Sequence, residues 1–106
     1  MGKMLSKKLY WSNSSTMMYW CPGCQMRHPV YIAKPEHNPD QDVWTWNGDV
    51  EKPTFYPSLN ISLGPEKRCH FFIRDGMIIY MGDSTHELKN QTVELPDIPI
   101  RERDYP

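Results

Sequence analysis

The densest concentration of reactive side chains is the segment Cys21-Pro22-Gly23-Cys24. Pro and Gly permit a tight turn that leaves both sulfurs pointing the same way, and two thiolates so held make half of a tetrahedral zinc site. No second Cys-x-x-Cys pair follows. The other half must come from single residues, and the candidates are His28, Cys69, His70 and His86. His37 lies in a polar loop and is the poorest of the histidines for this purpose. A thioredoxin-like redox pair would need a βαβ setting, and nothing around Cys21 reads as a helix start. The plain reading of His70 is a residue at the core boundary, beside Phe72 on one strand face. The plain reading of His86 is a capped surface turn. Its sharper reading is a metal ligand, or an acid/base group oriented by Asp83.

The elements that must position these groups read as short strands. Leu9 to Trp11 and Thr16 to Cys21 flank a polar turn, so the cysteine pair begins where a strand ends. Val30 to Ile32 is apolar, Pro35 to Asp42 is a loop by composition, and Trp44-Thr45-Trp46 runs into the turn signal Asn47-Gly48. Phe55-Tyr56 and Leu59 to Leu63 are strands interrupted by Pro53 and Pro57, which suits an edge or an irregular ladder. The clearest element is the hairpin CHFFIRDGMIIYM, with Asp75-Gly76 as a type I′ turn. That register pairs Arg74 with Met77, Ile73 with Ile78, Phe72 with Ile79, Phe71 with Tyr80 and His70 with Met81. Alternation then puts Cys69, Phe71 and Ile73 on one face and His70, Phe72 and Arg74 on the other. Cys69 and His70 cannot serve one metal unless the strand kinks. Asp83 to Leu88 reads as one helical turn, with Ser84 and Glu87 at capping-box spacing. Gln91 to Leu95 is a last strand.

Length and composition bound the answer. The chain has 106 residues, one domain's worth, with 10 Pro and a single Ala. The expected fold is mainly β: one small antiparallel domain over residues 1–97 with a zinc knuckle and at most one helical turn. Residues 98–106 are expected to form a loosely held tail. A formal net charge of -1 lacks the basic footprint of a general nucleic-acid binder, although Lys3, Lys7 and Lys8 cluster near the start. No apolar run is long enough to span a bilayer, and the first residues lack a signal-peptide pattern, so a cytoplasmic setting is expected. An odd count of 3 Cys argues against a closed disulfide framework. The aromatics Trp44, Trp46, Tyr19, Trp20, Phe55 and Tyr56 are read as core before they are read as a base-stacking surface.

Four blocks occur in order: WCPGCQMRH, WTWNGDVEKPTFYPS, RCHFFIRDGMIIYMGD and STHELKNQTVELPD. Together, from about Trp20 to Asp97, they resemble a family of small uncharacterised phage and prophage proteins, a domain of unknown function. The resemblance implies metal binding and points to Cys21, Cys24, His70 and His86. Relatives often carry Cys where this chain has Ser84, and some carry Cys in place of Met81, so neither position is implied to be an essential ligand. The leading expectation is a phage-type accessory protein in which zinc fixes loops that bind a host or phage protein. The alternative is a small zinc hydrolase using His86 with Asp83 or Glu87. A structural or nucleic-acid-binding zinc module is the second alternative. The zinc deaminases are excluded, because they need His-x-Glu before Pro-Cys-x-x-Cys.

Overall fold

The computed structural model describes residues 2–13, 15–34 and 38–99. His37 and the segment 100–106 of the expected tail lie outside the described residues. Nine strands form two antiparallel sheets, and no helix occurs among the described residues. One sheet runs β1 (Lys3–Met4), β2 (Tyr10–Trp11), β3 (Thr16–Cys21), β4 (Met26–Tyr31) in spatial order. The other runs β5 (Thr45–Trp46), β6 (Phe55–Gly64), β7 (Lys67–Arg74), β8 (Met77–Tyr80), β9 (Thr92–Glu94), also in spatial order. Every neighbour in each sheet is a neighbour in sequence, so the topology is a pair of meanders.

Strand alternation builds a single core from both sheets. Met17, Tyr19 and Cys21 of β3 and Val30 of β4 are buried against Phe55, Leu59, Cys69, Phe71, Ile73, Ile78 and Tyr80. The Tyr19 and Phe71 rings meet edge to face at 6.0 Å. Truncating Phe71 to Ala there costs about 3–5 kcal/mol. The aromatics divide as packing requires: Tyr19 and Phe55 are buried, Trp44 and Trp46 are packed partly against the core, and Tyr56 is exposed.

The β7–β8 hairpin has the register read from the sequence, from Arg74↔Met77 to Phe71↔Tyr80. Asp75 (φ 49°) and Gly76 (φ 77°) both take the left-handed backbone that a type I′ turn demands. The two runs 55–56 and 59–63 join into one long strand. Its pairing with β7 shifts register between Phe55 and Leu59, an irregularity that accommodates Pro57.

The expected helical turn after β8 is not a helix. Residues 87–90 form hydrogen-bonded turns. The Ser84 hydroxyl, which a capping box would direct at the backbone three residues on, instead bonds β7: it donates to the His70 carbonyl and accepts the His70 N–H, each at 3.0 Å. Thr85 continues this pairing to Arg68, with N–H to carbonyl at 2.9 Å. The segment 81–85 thus clamps β7 where β8 has ended. Past Asp97 the chain remains engaged: Ile98 is buried and donates to the Lys7 carbonyl at 2.8 Å.

Candidate functional site

Two constellations lie on opposite faces of β7. On the inner face, β3 ends at Cys21 in the same parity as Met17 and Tyr19, so its sulfur enters the core. Cys69 enters from β7 by the parity it shares with Phe71 and Ile73. Their sulfurs lie 3.6 Å apart. The β3–β4 turn brings Cys24 back over them, closed by Gln25 N–H to the Cys21 carbonyl at 2.7 Å. His28 follows on β4, on the inward parity it shares with Val30. One ligand atom from each of Cys21, Cys24, His28 and Cys69 falls within 4.8 Å of all the others. This cluster could hold a metal ion. Tetrahedral zinc with sulfur bonds of about 2.3 Å sets its sulfurs about 3.8 Å apart, close to the 3.6 Å between Cys21 and Cys69. His28 Nε2 is buried without a hydrogen-bond partner among the described residues. Such an orphan is costly unless something else satisfies it.

The electrostatics point the same way. A hydrogen bond from Cys69 first, then contacts from His28, Tyr80 and the Cys24 N–H, outweigh burial and pull Cys21 down to about 3. Burial and the Cys21 thiolate push Cys24 up to about 11. Cys69, which donates to Cys21, is raised as well. One thiolate therefore forms readily, and the other two thiols resist ionisation unless a cation joins them.

The sulfurs are also met by donors. Tyr80 hydroxyl accepts the Gly23 N–H at 3.3 Å and donates to Cys21 Sγ at 3.1 Å. Cys24 N–H reaches Cys21 Sγ at 3.4 Å. His86 Nε2 lies 3.2 Å from Cys69 Sγ, and its Nδ1 accepts the Leu88 N–H at 3.2 Å. A neutral ring accepting at Nδ1 carries its proton on Nε2, so His86 donates to Cys69. His86 packs against Tyr80 at 4.5 Å between ring centroids. Gly23 leaves room for it, since a Cβ there would collide with the imidazole.

The outer face carries the second constellation. His70 is half-buried and points away from the sulfurs, as alternation requires. Its Nε2 lies 3.2 Å from Ser58 Oγ on β6. Its Nδ1 lies 3.1 Å and 3.2 Å from the two carboxylate oxygens of Asp83. Burial raises Asp83, but the His70 hydrogen bond and charge and the Arg68 contact outweigh it and hold the carboxyl below its ordinary range. An ionised Asp83 fixes the tautomer: Nδ1–H donates to Asp83, and Nε2 is free to accept from Ser58. Trp44 Nε1–H anchors the Ser58 carbonyl at 3.1 Å. Arg68 Nη1 touches Asp83 at 3.4 Å. Hydroxyl, imidazole and carboxylate in line at these distances have the order that acyl-transfer chemistry uses for a nucleophile, a general base and an orienting group.

Of the four ligands implied by resemblance, the structure brings Cys21, Cys24 and His86 around Cys69. It brings His70 to Ser58 and Asp83 instead. Sequence reasoning did not pair Ser58 with His70. These residues are 12 apart and meet because Asn60 pairs with His70, which puts Ser58 two residues along the same face. An outward-facing histidine next to an inward cysteine was the available signal.

The fold and sites define a class: a small two-sheet β domain with a buried Cys/His cluster on one side of a strand and a Ser-His-Asp line on the other. Residues 2–81 match the model of the BubE family, described as the bacterial ubiquitination-like system serine protease. The match spans well over half of the chain, and the chain belongs to that family. The matched span contains Ser58 and His70 and ends two residues before Asp83. Neither the curated proteins nor the solved structures hold a significant match.

Proposed function

We propose that this domain is a serine hydrolase that cleaves an acyl bond at the C-terminus of a ubiquitin-like modifier. The single observation that carries the reading is the hydrogen-bonded line Ser58–His70–Asp83. The description of the family supports it independently. Ser58 Oγ attacks the scissile carbonyl carbon while His70 Nε2 takes its proton. His70 then gives that proton to the leaving group as the bond breaks, leaving an acyl-Ser58. Water attacks the acyl carbon, again deprotonated by His70, and Ser58 regains its proton. Asp83 holds the imidazole in the required tautomer and stabilises its charged form. The partner is then a protein, in keeping with the expected interaction role and with a net charge of -1.

The cluster on the inner face is proposed as a structural zinc site with Cys21, Cys24, Cys69 and His28 as ligands. Such a site has no open position and does no chemistry of its own. His86 and Tyr80 act on it by donating to Cys69 and Cys21, which spreads the excess charge of three thiolates. A zinc hydrolase built on His86 has less support, because Asp83 is engaged by His70 and Arg68 and Glu87 is exposed.

Hydrolysis of p-nitrophenyl acetate by the purified protein tests the reading. Ser58→Ala and His70→Ala should each abolish the Ser58-dependent burst, with the fold retained by circular dichroism. Equal turnover by wild type and both variants would overturn it.

A further inference from the structure

Among the described residues, the strand that carries Ser58 has a free edge. The two-residue turn at Asp75-Gly76 makes Arg74↔Met77 a hydrogen-bonded pair, so Phe72 and His70 also bond toward β8. Met81 N–H to the His70 carbonyl at 2.8 Å agrees. Cys69 and Phe71 therefore bond their β6 partners Ile61 and Leu59. By alternation, the N–H and C=O groups of Asn60 and Ser62 point away from β7. β5 covers β6 only at Phe55 and Tyr56. Beyond these, Trp44 takes the Ser58 carbonyl, and no hydrogen bond among the described residues covers the outward backbone of Asn60 or Ser62. Asn60, Ser62 and Gly64 are exposed, and so is Leu63, at 43%.

Edges of this kind are normally guarded by Lys, Pro or an inward charge. The segment from Ser58 to Gly64 reads SLNISLG, with no charge and no proline. An unguarded edge that is continuous with a nucleophile suits one occupant above others.

We infer that the free edge of β6 from Asn60 to Leu63 is the substrate-binding subsite, taking an extended peptide by strand addition so that its carbonyl reaches Ser58. The inference rests on the reading of Ser58 as nucleophile. Main-chain pairing would supply affinity with little demand on sequence, and the exposed Leu63 adds an apolar contact beside alternate side chains of the peptide. A flexible C-terminal tail of a folded modifier has the required form, since it can extend along an edge that a folded chain cannot enter.

The test uses peptide boronates, whose boron bonds to an active serine. An acetyl-glycine boronate reports Ser58 alone; an acetyl-tetrapeptide boronate ending in the same residue reports Ser58 plus the edge. The longer compound should inhibit about tenfold or more tightly, in line with two or three net backbone hydrogen bonds. N-methylation at one alternate set of its amides should remove the gain, and methylation of the other set should leave it within about threefold. Asn60→Pro, which deletes one outward N–H at an edge that tolerates proline, should lose the gain while keeping affinity for the short boronate. If the short boronate binds Ser58→Ala as well as wild type, the nucleophile reading fails and the inference with it. If the short boronate needs Ser58 but extension and N-methylation have no effect, the edge is not the subsite and the nucleophile stands. A concentration-dependent dimer in sedimentation that Asn60→Pro dissociates would assign the edge to a second copy of the chain and also overturn the inference.

Discussion

Replacing Asp83 with Asn is the sharpest probe of the outer-face site. The carboxylate accepts from His70 Nδ1 at 3.1 Å, which keeps Nε2 unprotonated and facing Ser58. An amide can present its NH2 to Nδ1 instead. The ring then carries its proton on Nε2 and cannot take one from Ser58. In the fully enclosed Ser-His-Asp template this change costs about 10,000-fold in kcat. Here the Asp83 side chain is 44% exposed and shared with Arg68, so water can supply part of the lost orientation. The expected loss is smaller, about 100- to 1,000-fold, or about 2.7–4.1 kcal/mol at 1.36 kcal/mol per decade. The assay is the second-order rate of fluorophosphonate labelling, read alongside ester hydrolysis and a thermal melt of the same preparation. Labelling within about threefold of wild type, on a protein with an unchanged melt, would refute the role given to Asp83.

Other outcomes follow from the same geometry. His28→Ala should lose bound zinc on gel filtration, whereas His86→Ala should retain one zinc per chain with affinity weakened about 10- to 100-fold, as elemental analysis with a competing chelator would record. Gly23→Ala forces the His86 ring from its place and should lower stability by about 1–3 kcal/mol in urea titration, because the collision falls on a buried cluster. The Asp83 carboxyl is depressed in the fold, so its contribution to stability is present above its unfolded pKa of about 3.9 and is lost as pH falls through the lower folded value. The melting difference between wild type and Asp83→Asn should therefore close toward zero at the most acid end, where the carboxyl is protonated in both states.

The strands were legible where local chemistry decides them. Asp75-Gly76 specified its turn, and with it the register from Arg74 to Phe71 and the separation of Cys69 from His70 onto opposite faces. The cysteine pair declared its turn in the same way. What the sequence hid is long-range. Ser58 meets His70 only through the register that sets Asn60 opposite His70, and no local signal states which strands pair. His28 joins Cys21 through the pairing of β3 with β4, but Cys69 joins them only when two sheets pack, and no periodicity states which faces meet. The Ser84 and Glu87 spacing misled because the Ser84 hydroxyl found a better partner in the β7 backbone than in its own turn. Tertiary contacts overrode a local propensity worth about 1 kcal/mol.

The central claim is that Ser58 is a nucleophile activated by His70. The most direct measurement is mass spectrometry of the full chain after treatment with a fluorophosphonate, followed by peptide mapping. One adduct per chain, located on Ser58 and absent from His70→Ala, is the predicted result. No adduct on well-folded protein, or an adduct on a different serine that persists in His70→Ala, would contradict it.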